Sequence, residues 1–405
     1  MSFARIAPTR VVAGALAALA IAACTEDLAT SGDCPDLCPN AELTVFDTTL
    51  VAVPGGDSSY TGYVEKGTNT AILVTTDGFA AMNARGFYEY LRRPDSVLVA
   101  DTLRPYTIDS VAFLVGVVGR DTAVKNLKVA LYKLPATADT SLSFQELSAL
   151  LTPEAFLDTV PVRDSLRSGT ARVVLSGEAL ERVALAPEDE GVLRVGIALL
   201  ADAPTGARLG ALSSGGLASF WLTYVTSTVA DTAVQSTITR GASTTYFMQE
   251  TPDPAPGPGR LVVGGAPSTR SLIRFELPAD IRDSATIVRA WLDLVPSEPL
   301  RGLPNDPAEL TATGIIADVG AKSPLLAGLV EVDTVEAGQT DVFRIEIRRI
   351  VAQWQAPNRR PPAVFLIVEP EAATFTLPLI VSTADPARAP RLRLAYVRRY
   401  PFVNP

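Results

Sequence analysis

Phe220-Trp221-Leu222-Thr223-Tyr224-Val225 and, 172 residues further on, Leu392-Arg393-Leu394-Ala395-Tyr396-Val397 are the segments whose reading decides the fold. Both are rich in Val, Leu and aromatic residues, which suit a pleated, half-buried surface. Residues 170–225 and 342–397 are each 56 residues long and align without a gap. Upstream, Asp109-Ser110 corresponds to Asp283-Ser284 at a separation of 174, and loop residues around 297–308 take up the shift. Segments 87–91, 111–118, 127–134, 171–175, 192–200 and 217–225 read as strands in the first half of the 405 residues. Segments 273–277, 285–294, 310–317, 342–347, 363–368 and 391–397 repeat that order, with Pro, Gly and Asp turns between them. Leu127, Val129 and Leu131 alternate with Lys128, Ala130 and Tyr132, as expected of antiparallel strands. The pattern predicts an all-β protein of two tandem antiparallel, jelly-roll-like β-sandwich domains related by internal duplication. It places them at 43–226 and 232–400, joined near 227–231. The Pro/Gly-rich stretch 251–259 falls inside the second domain, because 233–248 already reads as strand. Helix is expected only at 143–151 and 348–355.

Arg5 and Arg10 precede an unbroken Ala-rich apolar run over 11–23. A basic start, a short apolar run and small residues mark a secretory signal, too short to span a membrane. The run ends Ile21-Ala22-Ala23-Cys24, which resembles the bacterial lipoprotein lipobox. That resemblance implies cleavage before Cys24, lipid attachment to its sulfur and amine, and a membrane partner reached through the acyl chains. Thr25, rather than Asp, after the cysteine implies the outer membrane. Removing residues 1–23 takes the net charge from −9 to −11, since they hold two Arg and no acid. Residues 24–42 read as a tether. Cys34 and Cys38 within it, in an oxidising envelope, are expected to close a small disulfide loop.

Leu272-Ile273-Arg274-Phe275-Glu276-Leu277, Asp283-Ser284-Ala285-Thr286-Ile287, Ala352-Gln353-Trp354 and Pro390-Arg391-Leu392-Arg393-Leu394-Ala395-Tyr396 together resemble the DNRLRE-type domain. The first half follows this pattern more loosely, with Phe87-Tyr88-Glu89-Tyr90-Leu91 for the first element and Arg182 where the second half has Trp354. Thr48-Thr49-Leu50-Val51 and Asp109-Ser110-Val111 are also similar to a family of uncharacterised bacterial surface lipoproteins. These resemblances imply β-sandwich modules of the cell envelope, some of them attached to polysaccharide-degrading enzymes. Neither family supplies a catalytic motif.

Composition narrows the chemistry. The chain has no histidine, which removes Ser-His-Asp and Cys-His nucleophile systems and His-ligated metal sites. Asp and Glu number 44 against 35 Lys and Arg, a balance that disfavours a nucleic-acid partner. Glu188-Asp189-Glu190, set between Pro187 and Gly191, and Asn305-Asp306-Pro307-Ala308-Glu309 read as solvated turns, with a calcium loop as the alternative. No metal, cofactor or catalytic residue is expected. Val263-Gly264-Gly265 and Ser213-Ser214-Gly215-Gly216 lack the helix and Lys of a phosphate cradle. Trp221, between Phe220 and Leu222, and Trp291, between Ala290 and Leu292, are expected to face a ligand or a domain interface, with Trp354 in the core. The expected function is a non-enzymatic binding module on a lipid anchor, with polysaccharide as ligand. The alternatives are a structural or adhesive envelope protein that binds another protein, and a glycosidase or lyase working through paired carboxylates.

Overall fold

A computed structural model describes residues 44–64, 71–80, 82–184, 192–250 and 259–399. The chain is mostly β. Its strands are β1 (Val45–Val51), β2 (Asp57–Thr61), β3 (Ala71–Thr75), β4 (Asn83–Tyr90), β5 (Val97–Val99), β6 (Thr102–Arg104), β7 (Thr107–Arg120) and β8 (Lys128–Lys133). Then follow β9 (Phe156–Pro161), β10 (Gly169–Leu175), β11 (Leu193–Leu200), β12 (Gly206–Gly210), β13 (Phe220–Val229), β14 (Thr232–Glu250) and β15 (Arg260–Val262). The last are β16 (Thr269–Arg274), β17 (Ala285–Leu294), β18 (Ala308–Ile315), β19 (Leu325–Val335), β20 (Phe343–Glu346), β21 (Ala363–Glu369), β22 (Leu379–Val381) and β23 (Arg391–Arg398). Among the described residues the four short α-helices are α1 (Phe144–Leu150), α2 (Gly177–Ala184), α3 (Ala279–Ser284) and α4 (Arg348–Gln355). The side chain of Ser143 caps α1 and Glu146 returns the bond, a capping box that starts the helix where the apolar spacing predicts it.

Two face-to-face layers build the first sandwich. One carries β3, β12, β7, β13 and the N-terminal part of β14, with β10 also paired to β7; the other carries the C-terminal part of β14, then β4, β11, β8 and β9. Tyr88 and Tyr90 from the second layer meet Phe113 and Trp221 from the first, with ring centroids 5.9–6.3 Å apart. The second sandwich has layers β1-β23-β17-β20 and β2-β16-β21-β18-β19. Leu292, Leu294 and Leu394 there pack against Val364, Leu366 and Leu310. Apart from β3 and β12, which only the first sandwich's sheet carries, the two layer orders run in parallel, with β14 in one sandwich standing where β1 and β2 stand in the other.

That correspondence corrects the expected boundaries. Residues 227–231 are not a linker. Ala230 and Asp231, both at positive φ, make a two-residue turn that folds β14 straight back on β13. β14 is nineteen residues long. A register shift between Ala242 and Thr244 carries it from the layer of β13 into the layer of β4. So 232–250, expected to open the second domain, completes the first sandwich. Conversely, β1 and β2, expected in the first domain, lie in the second: β1 beside β23, and β2 antiparallel to β16. Hydroxyl pairs Ser59–Ser271 at 2.8 Å and Thr61–Thr269 at 3.0 Å run across that ladder. The second sandwich is thus built from both ends of the described chain, 45–61 and 260–398, and the first from the stretch between them.

The sandwiches are also joined side by side. Phe375, from the segment between β21 and β22, is 1% exposed and belongs to the core of the first sandwich. Its ring meets Phe79 edge-on at 5.4 Å. Gly206 makes room for it, since a Cβ there would sit 2.7 Å from the Phe375 ring. Arg208 of β12 pairs with Asp306 at 2.6 Å, their side chains 13% and 5% exposed. Asn305 Nδ2 donates to Asp121 at 3.1 Å. The stretch 305–309, expected as a solvated turn, is therefore half interface: Asp306 is buried because Arg208 compensates it.

Candidate functional site

Strand β13 alternates strictly. Trp221, Thr223, Val225 and Ser227 point into the sandwich and are buried; Phe220, Leu222, Tyr224 and Thr226 point out and are half-buried. The outward stripe lies mid-face, with β7 on one side and β14 on the other. Arg172 of β10, Asp109 and Ser110 of β7, and Gln235 and Thr237 of β14 surround it. Arg172 Nη2 donates to the Tyr224 hydroxyl at 2.9 Å, and the guanidinium lies 5.6 Å from the ring centroid. Thr226 Oγ1 donates to Asp109 at 2.6 Å. A cleft of about 330 Å³ opens here, lined by Asp109, Ser110, Tyr224, Gln235 and Thr237 among others. One flat aromatic face, a carboxylate, a guanidinium, an amide and several hydroxyls share one shallow surface. Such a set offers both donors and acceptors to a hydroxyl-rich ligand while the ring takes its apolar side.

The sequence expectation for Trp221 is corrected. The ring is 0% exposed, packed between Phe113 and Tyr90. Alternation showed that Trp221 and its neighbours face opposite ways, but both sets are apolar, so the sequence could not say which faces in. The neighbouring rings from β4 and β7 decide it. Tyr224 was missed for the same reason; Thr226 and the polar residues Gln235 and Thr237 across β14 are the signal that could have found it.

Trp291 is on the outer face of the second sandwich, with Ala290 and Leu292 in the core. Arg289 lies over its ring at 5.5 Å, and Glu346 and Arg393 stand opposite it on β20 and β23. Beside it Asp293, only 4% exposed, holds Arg344 at 2.8 Å and Arg393 at 2.6 Å. Both of those arginines are thus committed to an internal ion pair. Trp221 and Trp291 are not brought together. Trp354 is buried against Phe275, as expected. Cys24, Cys34, Cys38 and the acidic run 188–190 lie outside the described residues. Among the described residues no three Cys, Asp or Glu gather closely enough to hold a metal ion. No family model matches the chain, and no curated protein matches it.

Proposed function

We propose that this protein is a lipid-anchored cell-envelope binding protein, without an enzymatic role, that holds polysaccharide on the outer face of its first sandwich. The observation that carries the reading is the half-buried stripe Phe220-Leu222-Tyr224, bordered by Arg172, Asp109, Gln235 and Thr237 on neighbouring strands. Open sheet faces of this composition suit a long, hydroxylated chain lying across the strands, whereas a compact ligand needs a deep concave pocket. The lipobox-like Ile21-Ala22-Ala23-Cys24 supports an acyl anchor at Cys24, and Thr25 supports an outer-membrane address. The likeness of 272–277 and 390–396 to the DNRLRE pattern supports a polysaccharide rather than a protein partner.

The test is binding of the purified protein to a panel of immobilised polysaccharides, read by gel retardation. Wild type is expected to be retarded by at least one of them. Tyr224→Ala combined with Arg172→Ala should weaken that retention at least tenfold while leaving the far-ultraviolet dichroism unchanged. Retention unaffected by the pair of substitutions, or none by any polysaccharide while an envelope protein cross-links to Tyr224, would overturn the reading.

A further inference from the structure

Inside the first sandwich several buried side chains carry polar atoms without a partner, and four of them are neighbours: Tyr90 Oη, Trp221 Nε1, Thr223 Oγ1 and Arg240 Nε. Tyr90, Trp221 and Thr223 are 0% exposed and Arg240 is 8% exposed. They share one place. Trp221 and Arg240 are directly opposite each other on β13 and β14, Thr223 is the next inward residue of β13, and the Tyr90 ring lies 6.1 Å from Trp221. Leaving even one such group unpaired in a protein interior is unfavourable, so four together call for an account.

Their chemistry is one-sided. An indole N–H and a guanidinium N–H only donate, and the two hydroxyls can donate as well. The charge is one-sided too. Arg240 Nη1 donates to the Leu91 carbonyl at 3.2 Å, and no ion pair to a carboxylate is seen. Burial, and then the like charge of Arg93, lower its pKa to about 10. Over this end of the sheet the hairpin β5–β6 leans on β13 and β14. Its tip, Ala100-Asp101, is a two-residue turn with both φ angles positive, and Leu98 and Leu103, paired across it, are 66% and 68% exposed. A short hairpin with its apolar pair in solvent is held by few contacts and can lift at low cost.

We propose that this end of the first sandwich is a second, internal binding site, for a small organic carboxylate whose oxygens accept from Arg240, Trp221, Thr223 and Tyr90, with β5–β6 as its flap. A carboxylate supplies the acceptors and the negative charge the four groups lack. The site is separate from the outer face on Phe220, Leu222 and Tyr224, because the two sets point to opposite sides of β13.

The tryptophans provide the readout. The chain has three, so fluorotryptophan labelling of the full protein gives three fluorine resonances, and Trp221→Phe assigns the relevant one. Titration with acetate, malonate or citrate is expected to move the Trp221 resonance saturably, while acetamide, the neutral isostere of acetate, and chloride at equal ionic strength leave it in place. Thr223→Val keeps the shape and removes one hydroxyl. It should weaken carboxylate binding about tenfold without lowering Tm, since the hydroxyl has no partner to lose in the free protein. A Trp221 resonance that no carboxylate moves would mean that the four groups hold only water, and would overturn the proposal. Equal response to acetamide, or unchanged affinity in Thr223→Val, would overturn it as well.

Discussion

Replacing Phe375 by Ala tests how the two sandwiches are coupled. The residue lies between β21 and β22 of the second sandwich, yet its ring is 1% exposed within the core of the first, edge-on to Phe79 and against Gly206. Deleting a fully buried phenyl ring costs about 3–5 kcal/mol, and Gly206, with no side chain, cannot expand to fill the space. A value near 4 kcal/mol corresponds to about a thousandfold change in an opening equilibrium. Hydrogen exchange followed by mass spectrometry reads where that loss falls. Peptides covering β3 and β12, which line the first core, should lose protection by up to that factor, while those covering β17 and β23 should lose far less. Calorimetry should show a single wild-type transition separating into two, the lower one belonging to the first sandwich. If exchange speeds up in β17 and β23 while β3 and β12 stay protected, Phe375 belongs energetically to its own sandwich and the argument fails.

Further expectations follow from the same geometry. Asp306→Ala strands the Arg208 guanidinium at the interface and should cost about 3 kcal/mol, whereas Arg208→Met with Asp306→Leu should recover most of it in a double-mutant denaturation series. Arg274 binds Asp318 through Nε at 2.5 Å and Nη2 at 2.8 Å, and this hydrogen bonding holds the carboxyl below the usual carboxylate range. A carboxyl lowered in the folded state contributes stability above its unfolded pKa near ~4, and that contribution disappears as pH falls through the folded value. Because the pair is about 30% exposed, the contribution is modest, roughly 0.5 kcal/mol. Thermal melts should therefore show Asp318→Asn lower than wild type by about 1–2 °C at neutral pH and level with it near pH ~2. For the N-terminal segment, an alkyne fatty acid should label wild type and spare Cys24→Ser, and equal labelling of both would refute the anchor. Unreduced peptide mapping should find Cys34 and Cys38 joined; free thiols at both would refute the loop.

What was legible in the sequence was local. Segment 285–294 is β17 and 348–355 is α4, residue for residue, because hydrophobic period and chain direction are properties of a few neighbouring residues. The outward placement of Trp291 was legible for the same reason: charged Arg289 and Asp293 share its side of the strand, and small or aliphatic residues share the other. Stretch 220–225 offered no such contrast. Alternation there separates Trp221 from Tyr224, but only Phe113 and Tyr90, distant in sequence, determine that the indole goes inside. Asp306 likewise reads as a surface turn until Arg208, 98 residues away, faces it. The leading strands show the limit most plainly. Apart from β3 and β12, both sandwiches have the same layer order, so β1–β2 and β14 each suit an edge position in either one. Strand propensity makes them strands but is silent about partners. The tight turn at Ala230-Asp231 keeps β14 with β13, and the place left beside β23 and β16 goes to the chain's first strands. That choice depends on which edges remain free once everything else has packed, a property of the whole molecule and not of any segment.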